Sequence, residues 1–283
     1  MRIGLLGFVL AIGSAHANPI RIVAAESVYG DIARQIGGAG VEVASILGNP
    51  NQDPHEFEAS VATARQISDA TLVIYNGAGY DPWMTKLLSA SRAPSRKVID
   101  VARLANKRAG DNPHVWYDLA AISALAVALA DALAALDPKH QGEYAERLAA
   151  FEKSMRPLVD RVAALRKSYA GSPVTATEPV FGYMIDALGL AARNDRFQLA
   201  MMNGTEPGAR DIAAFENDLK TRAVKALVYN TQTGSALAAR MRALAVASGV
   251  PVVDVTETLP PAMSYQQWVG GELDALAHAL DRR

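Results

Sequence analysis

The chain lacks cysteine, has few aromatic residues and carries no excess of charge of either sign. Without Cys, an exported protein has no disulfides and must rely on its hydrophobic core. The 28 basic residues nearly balance the 29 acidic ones, for a net charge of -1, which is not the electrostatic footprint of a nucleic-acid-binding or membrane-surface protein. Aromatic residues make up only 6% of the chain, which disfavours the aromatic-lined cleft of a sugar hydrolase.

The first 17 residues, MRIGLLGFVLAIGSAHA, have the organisation of a secretory signal peptide. Arg2 supplies a positive end, Ile3–Ile12 form a short apolar run, and residues 15–17 give the small-x-small cleavage pattern. We therefore predict cleavage before Asn18 and export to the periplasm. Because the chain has no thiol to carry a lipid, we also predict a soluble protein that is not lipid-anchored.

A second apolar run, Leu119–Leu136, has about the length of a membrane span. Asp131 interrupts it and alanine fills much of it. These features favour a packed helix of a globular protein.

Along residues 18–283, short β-branched runs alternate with helical patterns, which is typical of βαβ units around a parallel sheet. Predicted strands lie near 21–25, 41–47, 71–76, 97–100, 174–177, 191–194, 226–230 and 252–255. Predicted helices lie near 28–36, 58–68, 81–89, 181–188, 209–221, 235–248 and 265–280. The prediction is an α/β fold of two βα lobes, each with a mainly parallel four-stranded sheet. A local echo between ATLVIYNGAG and VKALVYNTQTG supports related lobes.

A long helical pattern separates the two halves. The segment HQGEYAERLAAFEKSMRPLVDRVAALRKSYAG repeats apolar residues at steps of three and four. A helix of about 30 residues is about 45 Å long, the size of a whole lobe. We therefore predict an N-terminal lobe over 18–138, a connecting helix over 139–170 and a C-terminal lobe over 171–283, with a kink at Pro157.

Two of the five histidines directly follow a proline. His55 lies in NQDPHEFEAS, after a predicted strand, and His114 lies in DNPHVWYD, before a predicted helix. Proline restricts the backbone around each imidazole, which suits a metal ligand held in place, although loop histidines also cap helices or lie on the surface. His140 and His278 lie among charged residues and are predicted to be solvated.

Two glutamates follow predicted strands of the second half. Glu178 comes after the strand near 174–177 and Glu257 after the strand near 252–255. Ligands of open α/β sheets bind outside the carboxyl ends of the strands, although each acid alone also fits a helix start or a loop. Asp254 is a competing acid near Glu257, but strand alternation favours Glu257, which lies beyond the strand end.

Taken together, several segments resemble the periplasmic solute-binding proteins of zinc/manganese-type bacterial ABC importers. The segments are DPHEFEAS, ATLVIYNGAGYDPW, NPHVWYD, LDPKHQGEYAERLAAFE, TEPVFGYMIDALGL and VPVVDVTETLP. The resemblance covers essentially all of the chain after residue 17. It implies a receptor rather than an enzyme, which binds a metal ion between two lobes and delivers it to a membrane permease.

The resemblance also implies the ligands of one divalent ion. His55 and His114 match the two histidines of the family's N-terminal lobe. Glu178 stands where zinc members commonly have a third histidine and manganese members a glutamate, and Glu257 matches the usual final aspartate. The His-rich loop of zinc members is missing, since residues 103–113 read RLANKRAGDNP. We therefore expect Zn²⁺ or Mn²⁺, with Fe²⁺ as a further option, and a monomeric receptor.

Two other classes of protein are weighed against this reading. A secreted metal-dependent hydrolase also uses His and Glu, but it requires an open coordination position and a general base, and the sequence has no HExxH motif. An adhesion protein predicts no tightly bound metal, and the sequence shows no repeat array.

Overall fold

The computed structural model describes residues 19–51 and 53–281. The predicted signal peptide lies outside the described residues. Within them, the chain forms two four-stranded sheets in which every paired strand is parallel. The predicted α/β class, with two βα lobes and one long helix between them, is confirmed.

The first lobe has the sheet order β2-β1-β3-β4. Its strands are β1 Ile20–Glu26, β2 Val41–Leu47, β3 Leu72–Tyr75 and β4 Lys97–Asp100. Its helices are α1 Ser27–Gly37, α2 Val61–Asp69, α3 Pro82–Ala90, α4 Val101–Leu104 and α5 Leu119–Leu136. Strand β1 is central and almost completely buried over its second half, so its carboxyl end points into the interior rather than to solvent.

Helix α2 begins later than the sequence pattern predicts. The acidic run before it is not helical, because Ser60 forms the cap: its hydroxyl accepts the backbone N–H of Thr63 at 3.1 Å. The predicted start at residue 58 is therefore wrong by three residues. The residues before Ser60 are therefore not part of α2, and they include His55.

Helix α5 is long and apolar enough to span a membrane, and it is the one such helix among the described residues. It packs against α1 and the following long helix, and Asp118 caps it by accepting the backbone N–H of Ala120 at 3.0 Å. One face is buried, including Ile122, Leu125 and Leu129. The helix is thus part of the first lobe's core, as the alanine-rich sequence predicts.

The connecting helix α6, Gln141–Tyr169, is continuous over 29 residues. Its buried side consists of Tyr144, Phe151, Met155, Leu158 and Leu165, which matches the predicted apolar face. Pro157 lies inside the helix without ending it. The kink at Pro157 and the lobe boundaries at 138 and 171 remain predictions.

The second lobe repeats the first, with the sheet order β6-β5-β7-β8. Its strands are β5 Pro173–Ala176, β6 Ala191–Arg193, β7 Leu227–Asn230 and β8 Val252–Val255. Its helices are α7 Gly182–Ala187, α8 Asp195–Met202, α9 Ala209–Lys220, α10 Ala236–Ala247 and α11 Tyr265–Asp281. The Tyr-Asn echo falls at the ends of β3 and β7, which occupy the same place in their sheets.

The C-terminal helix α11 ties the lobes together. It packs on α6, β8 and α1. The Gln266 amide donates to Gln35 of α1 at 3.0 Å, and the backbone N–H of Tyr265 donates to Asp31 at 2.9 Å. The lobes are therefore connected by α6 and also by α11, which the sequence pattern assigns to the second lobe alone.

Candidate metal centre

His55 is presented by a single 3₁₀ turn, Pro54–Glu56, in the loop after β2. Asp53 starts this turn, because its carboxylate accepts the backbone N–H of His55 at 2.9 Å. The imidazole is 34% exposed. His55 is therefore held at the backbone but faces an open cleft.

His114, by contrast, is completely buried. Its Nδ1 lies 2.7 Å from the side-chain oxygen of Asn112, and the Asn112 amide in turn donates to the carbonyl of Pro179 at 2.7 Å. Since the Asn112 oxygen is an acceptor, His114 Nδ1 is the donor of this hydrogen bond, and Nε2 is the ring nitrogen that faces Glu257. Nε2 is buried without a hydrogen-bond partner, which is the state expected of a metal ligand.

Glu257 enters the same space from the second lobe. It follows β8, is 1% exposed, and its backbone N–H donates to the side-chain oxygen of Gln232 at 2.7 Å. Asp254 points the other way from within β8: it is exposed and pairs with Arg242 at 3.3 Å. The alternation of the strand thus separates the two acids as the sequence predicts.

The three side chains converge on one point. Nε2 of His55 and Nε2 of His114 each lie 3.4 Å from the same carboxylate oxygen, Oε2 of Glu257. Such separations are long for a charge-assisted hydrogen bond. Two ligand atoms each about 2.1 Å from a tetrahedral ion lie about 3.4 Å apart. These distances fit a group that could hold a metal ion, and a ligand atom from each of the three residues lies within 4.8 Å of the others.

Glu178 lies next to this cluster but is not one of its three members. It is buried, and its Oε2 accepts a hydrogen bond from the Asn230 amide at 3.1 Å. The same amide nitrogen donates to Glu257 Oε1 at 2.7 Å. Glu178 and Glu257 thus accept from the same amide nitrogen, and Glu178 lies at the rim of the cluster.

Tyr80 closes the cluster on the first lobe's side. Its hydroxyl donates to Glu257 Oε2 at 2.8 Å, and its ring meets those of His55 and His114 edge-on, with centroids 5.3 and 5.9 Å apart. Trp116 packs edge-to-face against both Tyr80 and His114. This aromatic wall excludes water from the buried side of the site.

The imidazoles and the carboxylates of the site shift one another's pKa values. Burial alone lowers the pKa of His55, but the nearby negative charge of Glu257 outweighs burial and raises that pKa to about 9. Burial alone raises the pKa of Glu257, yet the two imidazoles hold it well below its usual range. Burial raises the pKa of Glu178, and the charge of Glu257 adds to that effect. A divalent ion relieves the repulsion between these two acids.

The cluster opens to solvent through one cleft of about 540 Å³. Asp53, His55 and Glu56 line it from the first lobe, and Glu178 and Thr233 line it from the second. The cleft therefore leads from solvent to the exposed imidazole of His55 and to Glu178, while His114 and Glu257 stay buried behind them.

A family model for the zinc-uptake complex component A periplasmic (ZnuA) proteins matches residues 22–279. That is nearly the whole chain. The chain belongs to the ZnuA family. The family consists of solute-binding proteins rather than enzymes, so the predicted resemblance to metal-binding receptors of ABC importers is confirmed.

Relatives in the family are named for different metals. A manganese ABC transporter substrate-binding lipoprotein, PsaA of Streptococcus mitis, is 27% identical over 197 residues, which cover 62% of this chain and 62% of the relative, less than two thirds of its length. An iron ABC transporter substrate-binding lipoprotein, MtsA of Streptococcus pyogenes serotype M1, is 25% identical over 294 residues. This alignment covers 94% of this chain and 91% of the relative. The names alone therefore leave the metal open.

The fold is that of solved periplasmic metal receptors. The periplasmic zinc binding protein TroA of Treponema pallidum superposes with a TM-score of 0.79 at 22% identity, covering 94% of this chain and 100% of that one. At this identity the likeness shows the fold alone. The shared fold includes the two lobes and the long helix between them.

Several residues of the site were not among the predicted ones: Tyr80, Asn112, Asn230 and Gln232. Each lies inside a motif that the sequence analysis quotes, in GAGYDPW, DNPH or YNTQTG. Their roles depend on partners that are distant in the chain; Tyr80 and Glu257, for example, are separated by 177 positions. A local sequence pattern can include such a residue, but it does not predict a contact with a residue so distant in the chain.

Proposed function

We propose that this protein is an extracytoplasmic receptor that binds one divalent transition metal ion at His55, His114, Glu178 and Glu257. It then delivers the ion to the membrane permease of an ABC importer. The observation that carries the proposal is the convergence of two histidine Nε2 atoms on one oxygen of Glu257, at 3.4 Å each. Both imidazoles come from the first lobe, while the two acids come from the second.

The donor set supports Zn²⁺, Mn²⁺ or Fe²⁺ as cargo. Two imidazoles and two carboxylates satisfy a tetrahedral zinc ion. They also suit manganese or iron when a carboxylate binds through both oxygens. Glu178 is the weakest of the four proposed ligands, because it lies beside the three-residue cluster and not within it.

The protein is proposed to act as a monomer that is not lipid-anchored and binds no nucleic acid. The relatives compared above are named as lipoproteins, whereas this sequence contains no cysteine to carry a lipid. A nearly balanced net charge and a cluster of candidate ligands formed within one chain support the rest of this proposal.

Isothermal titration with histidine variants tests the proposal. We expect one ion per chain, and we expect His55→Ala and His114→Ala to weaken binding by about a hundredfold or more, since each removes a ligand. His140→Ala is the matched control, because His140 is exposed and pairs with Asp137 rather than with the site. Equal effects of all three substitutions would exclude the proposed site.

A further inference from the structure

Asn230 links the two acids of the candidate site. It ends β7 and is 2% exposed. Its oxygen accepts the backbone N–H of Gln232 at 3.0 Å, which fixes the orientation of the amide. Both amide hydrogens are therefore directed to the acids, one to Glu257 Oε1 and one to Glu178 Oε2.

These hydrogen bonds engage one oxygen of each carboxylate. The other oxygen of Glu257, Oε2, faces both histidines and accepts the Tyr80 hydroxyl at 2.8 Å. In Glu178, Oε1 is the oxygen that does not accept from Asn230. Because the amide of Asn230 is itself fixed, its two hydrogen bonds oppose rotation of either carboxylate into a chelating position.

Coordination number separates the candidate metals. Two imidazoles and two carboxylates that bind through one oxygen each provide four ligand atoms, which is the tetrahedral set of zinc. Manganese and other hard cations prefer additional oxygen ligands, which a carboxylate supplies when it chelates. A residue that prevents chelation therefore favours zinc.

We propose that Asn230 determines metal specificity by holding Glu178 and Glu257 in single-oxygen coordination. The site then favours four-coordinate Zn²⁺ over Mn²⁺. This inference rests on the proposed function. It assigns to Asn230 a positioning role, since the side chain touches the ligands and not the ion.

Asn76 provides a matched control. It follows β3, which takes the place of β7 in the first lobe's sheet, and it is completely buried. Its amide donates to the carbonyls of Pro113 and Gly77 at 2.8 and 3.0 Å, both backbone acceptors. Loss of Asn76 thus removes a buried amide of the same type that binds no carboxylate.

Competition titrations with Zn²⁺ and Mn²⁺ test the proposal in the wild type, Asn230→Ala and Asn76→Ala. The ratio of the manganese Kd to the zinc Kd should fall by about tenfold or more in Asn230→Ala. It should stay within about twofold in Asn76→Ala, even if both affinities decrease. A folded Asn230→Ala variant with the wild-type ratio would overturn the inference.

X-ray absorption spectroscopy supplies a second readout that needs no variant. Zinc-loaded wild type should show four nitrogen or oxygen ligands, and five or six would overturn the inference.

In the competition titration, Asn230→Leu, which fills the volume without donating hydrogen bonds, replaces Asn230→Ala if the latter does not fold. A wild-type protein that binds neither metal would instead refute the proposed function.

Discussion

At the residue scale, Glu257 connects the two lobes of the site through a single oxygen atom. Oε2 of Glu257 is close to His55 and His114 and accepts the hydroxyl of Tyr80. Each of these three partners comes from the first lobe, while Glu257 follows the last strand of the second. Loss of its charge therefore affects every contact in the cluster at once.

The substitutions Glu257→Gln and Asp254→Asn separate the two candidate acids. Glu257→Gln keeps the shape but removes the charge, and we expect metal affinity to decrease by about a hundredfold or more. Asp254→Asn should change it by less than about threefold, because Asp254 is exposed and paired with Arg242. Competition titration measures both. Loss of binding in Asp254→Asn alone would show that the wrong acid is assigned.

The positions of the proposed ligands can be predicted from the sequence alone. Each proposed ligand lies directly beyond a strand or beside a proline, so a local pattern identifies it, as with His55 and Glu257. The residues that orient the ligands were missed, because Asn112 and Asn230 act through hydrogen bonds to segments distant in the chain. Local patterns carry no information about such partners.

At the element scale, helix α11 contains a buried acid outside the metal cluster. Oε1 of Glu272 accepts hydrogen bonds from the Tyr117 hydroxyl at 3.0 Å and the Thr256 backbone N–H at 3.2 Å. Oε2 is buried without a partner. Burial raises the pKa of Glu272 to about 8, so the folded protein keeps this carboxyl protonated at neutral pH.

This raised pKa predicts a pH dependence of stability. An unfolded glutamate ionises near its ordinary pKa of about 4.3, so between that pH and about 8 the folded state binds more protons than the unfolded state. The free energy of unfolding should therefore decrease as pH rises through this range. In Glu272→Gln, which resembles the protonated acid, we expect a smaller decrease. Urea unfolding of metal-free protein from pH 5 to 8.5 measures it, and parallel curves for the two proteins would contradict the expectation.

Elements were predictable where their periodicity is strong. Strands β2, β4 and β8 have the predicted bounds, because each is a short apolar or β-branched run between turn residues. Helix α8 was missed: DRFQLAMM is only 8 residues long and buries little more than Phe197 and Gln198. Phe197 packs against Phe215 with ring centroids 4.4 Å apart, so tertiary packing rather than local pattern stabilises this helix.

At the scale of the whole molecule, two helices oppose rotation of the lobes. Helix α6 packs on α1 and α5 of the first lobe and on α11. Helix α11 joins β8 of the second lobe to α1 of the first. A hinge motion would have to break both sets of contacts, so metal binding should rearrange loops rather than lobes.

Small-angle scattering tests this rigidity. The radius of gyration of the metal-free protein should equal that of the metal-loaded protein within experimental error. The loop that carries His55 is the expected place of change, and hydrogen exchange should show protection there on metal addition. A clear compaction of the molecule on metal addition would contradict the expectation that the two helices hold the lobes fixed.

The central claim is that one ion is bound between the lobes by side chains of both. Anomalous diffraction from crystals of the zinc-loaded protein tests it most directly. We predict a single strong peak per chain, at about 2.0–2.2 Å from Nε2 of His55, Nε2 of His114, and one oxygen each of Glu178 and Glu257. A peak held by other residues, or one without Glu257 among its ligands, would contradict the claim.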